Sequence, residues 1–514
     1  MRGKYSARSL AVCLAVILVM FQGRARAHKS DASWTPLANK ALDDTGTMLL
    51  LTDGTVMVQG YAPGSNWMRL TPDINGSYIE GTWSSIAPMS TTRLYYASHV
   101  LPSGKVWLLG GEYTGADYTP TFTNTGEMYD PISNSWSPIA PHPDTHFGDD
   151  PSMLLPNGKI LAGSILSRKS FLYDIATNTW SFGAAKVYND RSDEEGWVAL
   201  PGGSVVTYDL FQSIATNGSY AERYDPATNT WSSISPSDGT ASGFIPQLSS
   251  RALGFELGPL VRLCDGRIFV IGATGHTALY TPSRNSWAAG PDVIGTLAGA
   301  PQVFGADDAP AAVMPNCHVL FAADAGPTLG VFKEPTQLFD FDPDADTIAP
   351  VDPPIPDEVL PIAPAFIFRM LILPTGQVLL SDSTSQLWVY TPDGSSPHKL
   401  RPRIEGIKYK GGGVFTLTGQ QLNGQSAGSA YGDDVESDEN YPIISLTDKD
   451  GRVFYARTTN WSLTTVATGT AKETVDFTLH PGMSPGNFKV VVSGSGTSSK
   501  AVTTKISAAE IDGR

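Results

Sequence analysis

Leu101-Pro-Ser-Gly-Lys-Val-Trp-Leu108 reads as the end of one apolar strand, a tight turn and the start of another. Pro and Gly punctuate the reversal, because Gly accepts the positive φ that hairpin turns demand. The same phrase recurs as Leu51-Thr-Asp-Gly-Thr-Val, Leu155-Pro-Asn-Gly-Lys-Ile, Leu200-Pro-Gly-Gly-Ser-Val, Leu263-Cys-Asp-Gly-Arg-Ile, Met314-Pro-Asn-Cys-His-Val and Leu373-Pro-Thr-Gly-Gln-Val. Its turn residues, Gly54, Gly104, Gly158, Gly203, Gly266, Cys317 and Gly376, are separated by 50, 54, 45, 63, 51 and 59 residues.

Seven units of that length correspond to one four-stranded kelch blade each. The expected fold is all-β: a seven-bladed kelch-type β-propeller over 28–402, followed by a C-terminal immunoglobulin-like β-sandwich over 403–514. The outer half of the blades carries Tyr129-Asp-Pro with Trp136, Tyr173-Asp with Trp180, Tyr224-Asp-Pro with Trp231, and Tyr280-Thr-Pro with Trp287. These aromatics read as packing between blades. Tyr390-Thr-Pro lacks a following Trp strand, whereas Trp34-Thr-Pro-Leu-Ala precedes the first hairpin and resembles Trp136-Ser-Pro-Ile-Ala. Trp34 is therefore expected to supply the outermost strand of the seventh blade and to remove an exposed edge. From about Arg403 the unit changes, and Phe415-Thr-Leu-Thr and Tyr441-Pro-Ile-Ile-Ser-Leu alternate as sandwich strands do.

Arg2, Lys4 and Arg8 precede an apolar run from Leu10 to Phe21 and the triplet Ala25-Arg26-Ala27, the pattern of a secretory signal peptide over 1–27. A secreted chain without a transmembrane anchor is the expectation, extracellular or periplasmic, and a monomer. Removing the leader takes the formal charge from -15 to -20, which makes nucleic acid a poor partner. Cys264 and Cys317 remain as an even pair in equivalent turns of adjacent blades, so a disulfide between them is expected. Asn75-Gly-Ser, Asn217-Gly-Ser and Asn460-Trp-Ser carry the glycosylation pattern.

Seven kelch units, closure by an N-terminal strand and a trailing sandwich resemble the galactose oxidase family of copper radical oxidases, over roughly residues 30 to 507. That family's cross-linked tyrosine lies in an Arg-x-Tyr motif nine residues before a hairpin glycine, and Arg93-Leu94-Tyr95 with Gly104 matches it. The resemblance places the cysteine partner at Thr45, a tyrosine–histidine pair at Phe366 and Ile367, and a further histidine near Arg457 or Thr458. None of these residues is the family's ligand. Copper radical oxidation is not expected, and Tyr95 stays as the candidate catalytic residue.

The segments eight to ten places before each turn begin the innermost strands and should ring the axial channel. They are acidic: Asp44, Asp149 and Asp150, Glu194 and Glu195, Glu256, and Asp307 and Asp308. Carboxylates gathered from several blades repel one another, so they bind a hard cation such as calcium, hold protons, or pair with arginines such as Arg93. Asp44, Asp149 and Asp308, with His142 and His146 of the connection between blades two and three, are the candidate metal ligands. Trp461 is the candidate stacking residue, carried by the C-terminal domain to the channel mouth.

Two functions follow. One is a binding module whose acidic mouth holds an extracellular polysaccharide or protein. The other is a carbohydrate-active enzyme, a lyase or hydrolase with paired carboxylates and Tyr95, or an oxidase with a rearranged metal site.

Overall fold

The computed structural model describes residues 32–60, 64–115, 119–254, 256–353, 363–427 and 440–513. The leader over 1–27 lies outside them. Seven sheets follow one another along the chain, antiparallel throughout except that Ser242–Gly243 adds in parallel to the outer strand of the fifth. Blade 1 runs from Thr45–Leu50 to Thr82–Ile86, blade 2 from Ala97–Val100 to Ser135–Ile139, and blade 3 from Ser152–Leu154 to Thr179–Ala185. Blade 4 spans Trp197–Ala199 to Thr230–Ser233, blade 5 Leu260–Arg262 to Ser286–Ala289, and blade 6 Ala311–Val313 to Thr347–Val351. Blade 7 has Arg369–Ile372, Val378–Ser381 and Trp388–Thr391, and its fourth strand is Ser33–Pro36, with Trp34 opposite Tyr390. The expected closure by the N-terminal strand is present.

The inner two strands of the blades are Val-, Leu- and Ile-rich and buried along nearly their whole length, as strands sandwiched between neighbouring sheets must be. The outer strands show why the Tyr–Trp phrase recurs. Tyr129, Tyr173, Tyr224 and Tyr280 pair across the sheet with Trp136, Trp180, Trp231 and Trp287. Each tyrosine hydroxyl donates to an Asn Oδ1 five residues on, at 2.8–2.9 Å. Each Trp Nε1 donates to the preceding blade: to Ala87 O, Ala140 O, Ser170 Oγ and Ile234 O. The phrase is an inter-blade fastener, and Trp34 repeats it by donating to Asp352 O at 3.0 Å.

Cys264 and Cys317 form the expected disulfide between the turns of blades 5 and 6, with Cα atoms 5.6 Å apart.

After blade 7, strands Arg403–Gly411 to Val502–Ile506 form one curled sheet. Its concave side collects Phe415, Leu417, Val475, Phe477, Val490 and Val492 into a core, which gives a sandwich-like domain. This domain docks on the face made by the hairpin turns. The Thr458 N–H donates to Thr52 O (3.1 Å), the Asn460 N–H to Pro102 O (2.7 Å), and the Thr464, Thr465 and Ser493 hydroxyls to Leu155, Leu200 and Pro374 O.

Candidate functional site

The inner strands run from the axial mouth to the hairpin turns, so the face opposite the C-terminal domain carries the residues that start them. Tyr95, Asp149, Glu194 and Asp308 each lie nine residues before their blade's turn residue. All four adopt left-handed backbone, with φ of 57°, 60°, 59° and 48°. Such a conformation is unfavourable for a side chain with a Cβ, costs about 1–3 kcal/mol, and persists where the surroundings over-determine it. Four blades repeat it at one height, so the strain is a property of the mouth.

Glu194, Glu256 and Asp308, from the consecutive blades 4, 5 and 6, meet there. Each offers a carboxylate oxygen within 4.8 Å of the other two. Among the described residues no basic side chain forms an ion pair with any of the three, and Glu194 Oε2 is buried without a hydrogen-bond partner. Burial raises the Glu194 carboxyl well above the usual range, with the charges of Asp149, Asp308 and Glu256 adding to it. Burial likewise raises Asp308, with Glu256 adding, and lifts Glu256 to about 7.

Beside this cluster a cavity of about 270 Å³ is lined by Tyr95, Tyr113, Phe366, Ile367 and Arg369. Tyr95 and Tyr113 meet edge to face with centroids 5.7 Å apart. Burial together with the charges of Glu112, Asp149 and, least, Glu256 pushes the Tyr113 hydroxyl up to about 12. Of the positions the resemblance assigns to copper ligands, Tyr95, Phe366 and Ile367 line one cavity, whereas Arg457 and Thr458 stay on the turn face, bonded to Asp53 and Thr52 O. Thr45 is buried, with its hydroxyl on Ser381 Oγ and Thr384 O.

Other expected site residues sit elsewhere. Arg93 is 1 % exposed; its guanidinium donates to Gly110 O and Thr125 O and pairs with Glu127 at 3.3 Å, holding blade 2 together. Trp461 is 5 % exposed and stacks on Tyr441 at 5.1 Å against the turn face, so it does not reach the mouth. His142 is packed among Phe147, Phe171 and Trp180, and burial lowers it to about 4. His146 is exposed against Phe122, and the two histidines share no metal-ligand group among the described residues. Asp44 is exposed and stays outside the cluster.

Neighbouring acids separate at the left-handed residue of each pair, Asp149, Glu194 or Asp308, where the backbone leaves the extended conformation. Asp150 is buried facing Asp193, Glu195 pairs with buried Lys186, and Asp307 is buried beside Glu256 and Asp324. Tyr113 and Glu112 were missed in the sequence. They lie in the connection after the second strand of blade 2, where no repeat position marks them.

Residues 93–143 match the Kelch motif family. The fold is a kelch-type propeller. Among curated proteins, Kelch-like protein 35 of Mus musculus is 27% identical over 172 residues, which cover 32% of this chain and 26% of that protein. The match therefore spans about a quarter of the length of that relative. Among solved structures, a fungal alcohol oxidase of the AA5 family in complex with copper aligns with a TM-score of 0.36 and 16% identity. That alignment covers 90% of this kelch propeller chain and 85% of the oxidase. No described helix is long and apolar enough to cross a membrane.

Proposed function

We propose that this kelch propeller is a secreted binding module that holds a divalent cation at its axial mouth and takes an extracellular glycan through it. One observation carries the reading: Glu194, Glu256 and Asp308 converge from three blades, with no ion pair to a basic side chain among the described residues. Oxygen-only donors suit a hard cation such as calcium, which takes six to eight oxygens and leaves positions open for ligand hydroxyls. The adjoining aromatic wall of Tyr95 and Tyr113 suits the apolar face of a sugar ring. Radical copper chemistry is absent in this reading, because Thr45, Phe366 and Ile367 bring neither thiolate nor imidazole to the cavity.

The test is calorimetric titration of chelator-treated protein with calcium, together with glycan-array binding in calcium and in EGTA. The wild type is expected to bind calcium and to retain glycans only when calcium is present, and Glu256→Gln/Asp308→Asn is expected to lose both. Binding indifferent to the chelator and to the double variant overturns the proposal.

A second reading rests on Glu256 lying near 7 beside Asp308, the range a general acid needs at neutral pH. Turnover of a glycan that disappears in Glu256→Gln supports an enzyme instead.

A further inference from the structure

At the end of the propeller opposite the mouth, a cavity of about 400 Å³ opens where blade 1 meets the C-terminal domain. Arg69, on the third strand of blade 1, Trp67–Thr71, lines it together with Arg457, on Val453–Thr459 of the C-terminal domain. Asp53, in the turn of blade 1, accepts Arg457 Nη2 at 2.7 Å. Arg69 Nη2 donates to the Tyr129 hydroxyl at 3.3 Å, and among the described residues Arg69 forms no ion pair. Arg69 Nε and Arg457 Nη1 are buried and have no hydrogen-bond partner among the described residues. Asp73 also lines the cavity, but its carboxylate is held by its own loop, accepting the backbone N–H groups of Asn75 and Ser77 and the Asn75 Nδ2.

Fastening of the two domains accounts for part of this arrangement. The Arg457–Asp53 pair ties the C-terminal domain to blade 1 and uses one nitrogen of one guanidinium. It does not account for Arg69, nor for buried N–H groups left without an acceptor, which cost the fold unless something returns the bond. The charges are gathered at one place, since all three act on a single hydroxyl: burial raises Tyr129, Arg69 lowers it, Asp53 raises it and Arg457 lowers it. Two guanidiniums facing Asp53 make a positive spot on a chain whose formal charge is -15. The Arg457 side chain is 22% exposed, so its guanidinium is within reach of a ligand. Ile74, Val453, Leu479 and Pro481 supply apolar walls.

We infer that this inter-domain cavity binds a small organic carboxylate of monosaccharide size, such as a hexuronate. Guanidinium is planar and matches a carboxylate with paired N–H donors. One acid group would satisfy Arg69 and the free nitrogen of Arg457, while the body of the ligand covers the apolar walls that an inorganic anion leaves unused. The volume falls in the range of small-molecule sites, about 300–1,000 Å³. The cavity shares no residue with the carboxylates of the mouth, so the inference stands apart from the function proposed there.

The test is calorimetric titration of the full-length protein with glucuronate in EGTA, with glucose and sulfate as comparisons. The wild type is expected to bind glucuronate about tenfold or more tightly than either, and Arg69→Gln to lose about tenfold, the worth of a charge-assisted hydrogen bond. Asp53→Asn is expected to tighten binding, because it frees Arg457 Nη2 and removes the competing carboxylate; a purely structural pair predicts no gain. Glu256→Gln/Asp308→Asn is expected to bind glucuronate as the wild type does. The inference is overturned if glucuronate does not bind, if sulfate binds as tightly, if Arg69→Gln or Asp53→Asn leaves the affinity unchanged, or if the mouth variant abolishes binding. If Arg69→Gln does not fold, Asp53→Asn decides.

Discussion

Trp34 stands opposite Tyr390 in the seventh blade, their ring centroids 4.6 Å apart, although nearly the whole propeller lies between them in sequence. The pair joins the two ends of the ring. Replacing Trp34 by Ala removes the ring contact and the hydrogen bond to Asp352 O. A loss of about 2–3 kcal/mol is expected, below the range for a fully buried aromatic because Trp34 is half-buried. Urea unfolding checks it: the midpoint should fall for the whole propeller in one transition, and selective fraying of blade 7 alone would show that closure does not couple the blades.

The Cys264–Cys317 bridge closes a loop with a sequence separation of 53. Loop-closure entropy for that length gives a stabilisation of about 4 kcal/mol. Cys264→Ser/Cys317→Ser should lower the denaturant midpoint accordingly, and adding reductant to the wild type should reproduce the shift. A reductant-insensitive wild type would mean that the bridge contributes little.

Arg93 and Glu127 are both buried, at 1% and 5% side-chain exposure. Removing one partner strands the other, so Arg93→Ala should cost about 3–5 kcal/mol. A thermal melt separates this structural role from ligand binding: a variant with unchanged stability that fails to bind would place Arg93 back in the site.

Asp324 is buried and its carboxyl is raised to about 7 by burial, against an ordinary value of 3.8, despite accepting N–H groups from Gly326 and Ala365. The folded state therefore holds this proton more tightly than the unfolded chain. The contribution to stability is full below about pH 4 and is lost as pH rises through 7, a span worth roughly 4 kcal/mol at most. His99 acts oppositely, because burial lowers it to about 3, so its contribution is present above pH 6.5 and lost on acidification. Asp324→Asn should flatten the decline in melting temperature between pH 5 and 8. An unchanged pH profile would show that Asp324 is ionised in the fold.

Much of this architecture was legible because turn chemistry is local. A Pro-x-Gly or Asp-Gly turn between apolar runs declares a hairpin, and the Tyr-to-Trp spacing is fixed by one strand reversal. The height of the acids at the mouth was also legible, since it is a constant offset from the turns. Which acid of a run faces the axis was not: the Asp149-Asp150, Glu194-Glu195 and Asp307-Asp308 pairs each split, and direction depends on a backbone angle that the residue types do not announce. Lys186 gave no signal, because its partners Glu195 and Asp209 come from different strands. Trp461 was placed at the mouth on its residue type. The docking of its domain on the turn face depends on contacts from at least five blades, which no local pattern encodes.

That docking divides labour between the two ends of every blade. The turns are locked beneath the C-terminal domain and cannot change without disturbing many neighbours, whereas in the segments leading into the inner strands residues such as Arg93 and Glu195 are tied into the blades and side chains such as Tyr95 line open cavity. New specificities can therefore be written by exchanging the cavity-lining side chains of the mouth one blade at a time, as one changes the bits of a drill while the chuck stays fixed.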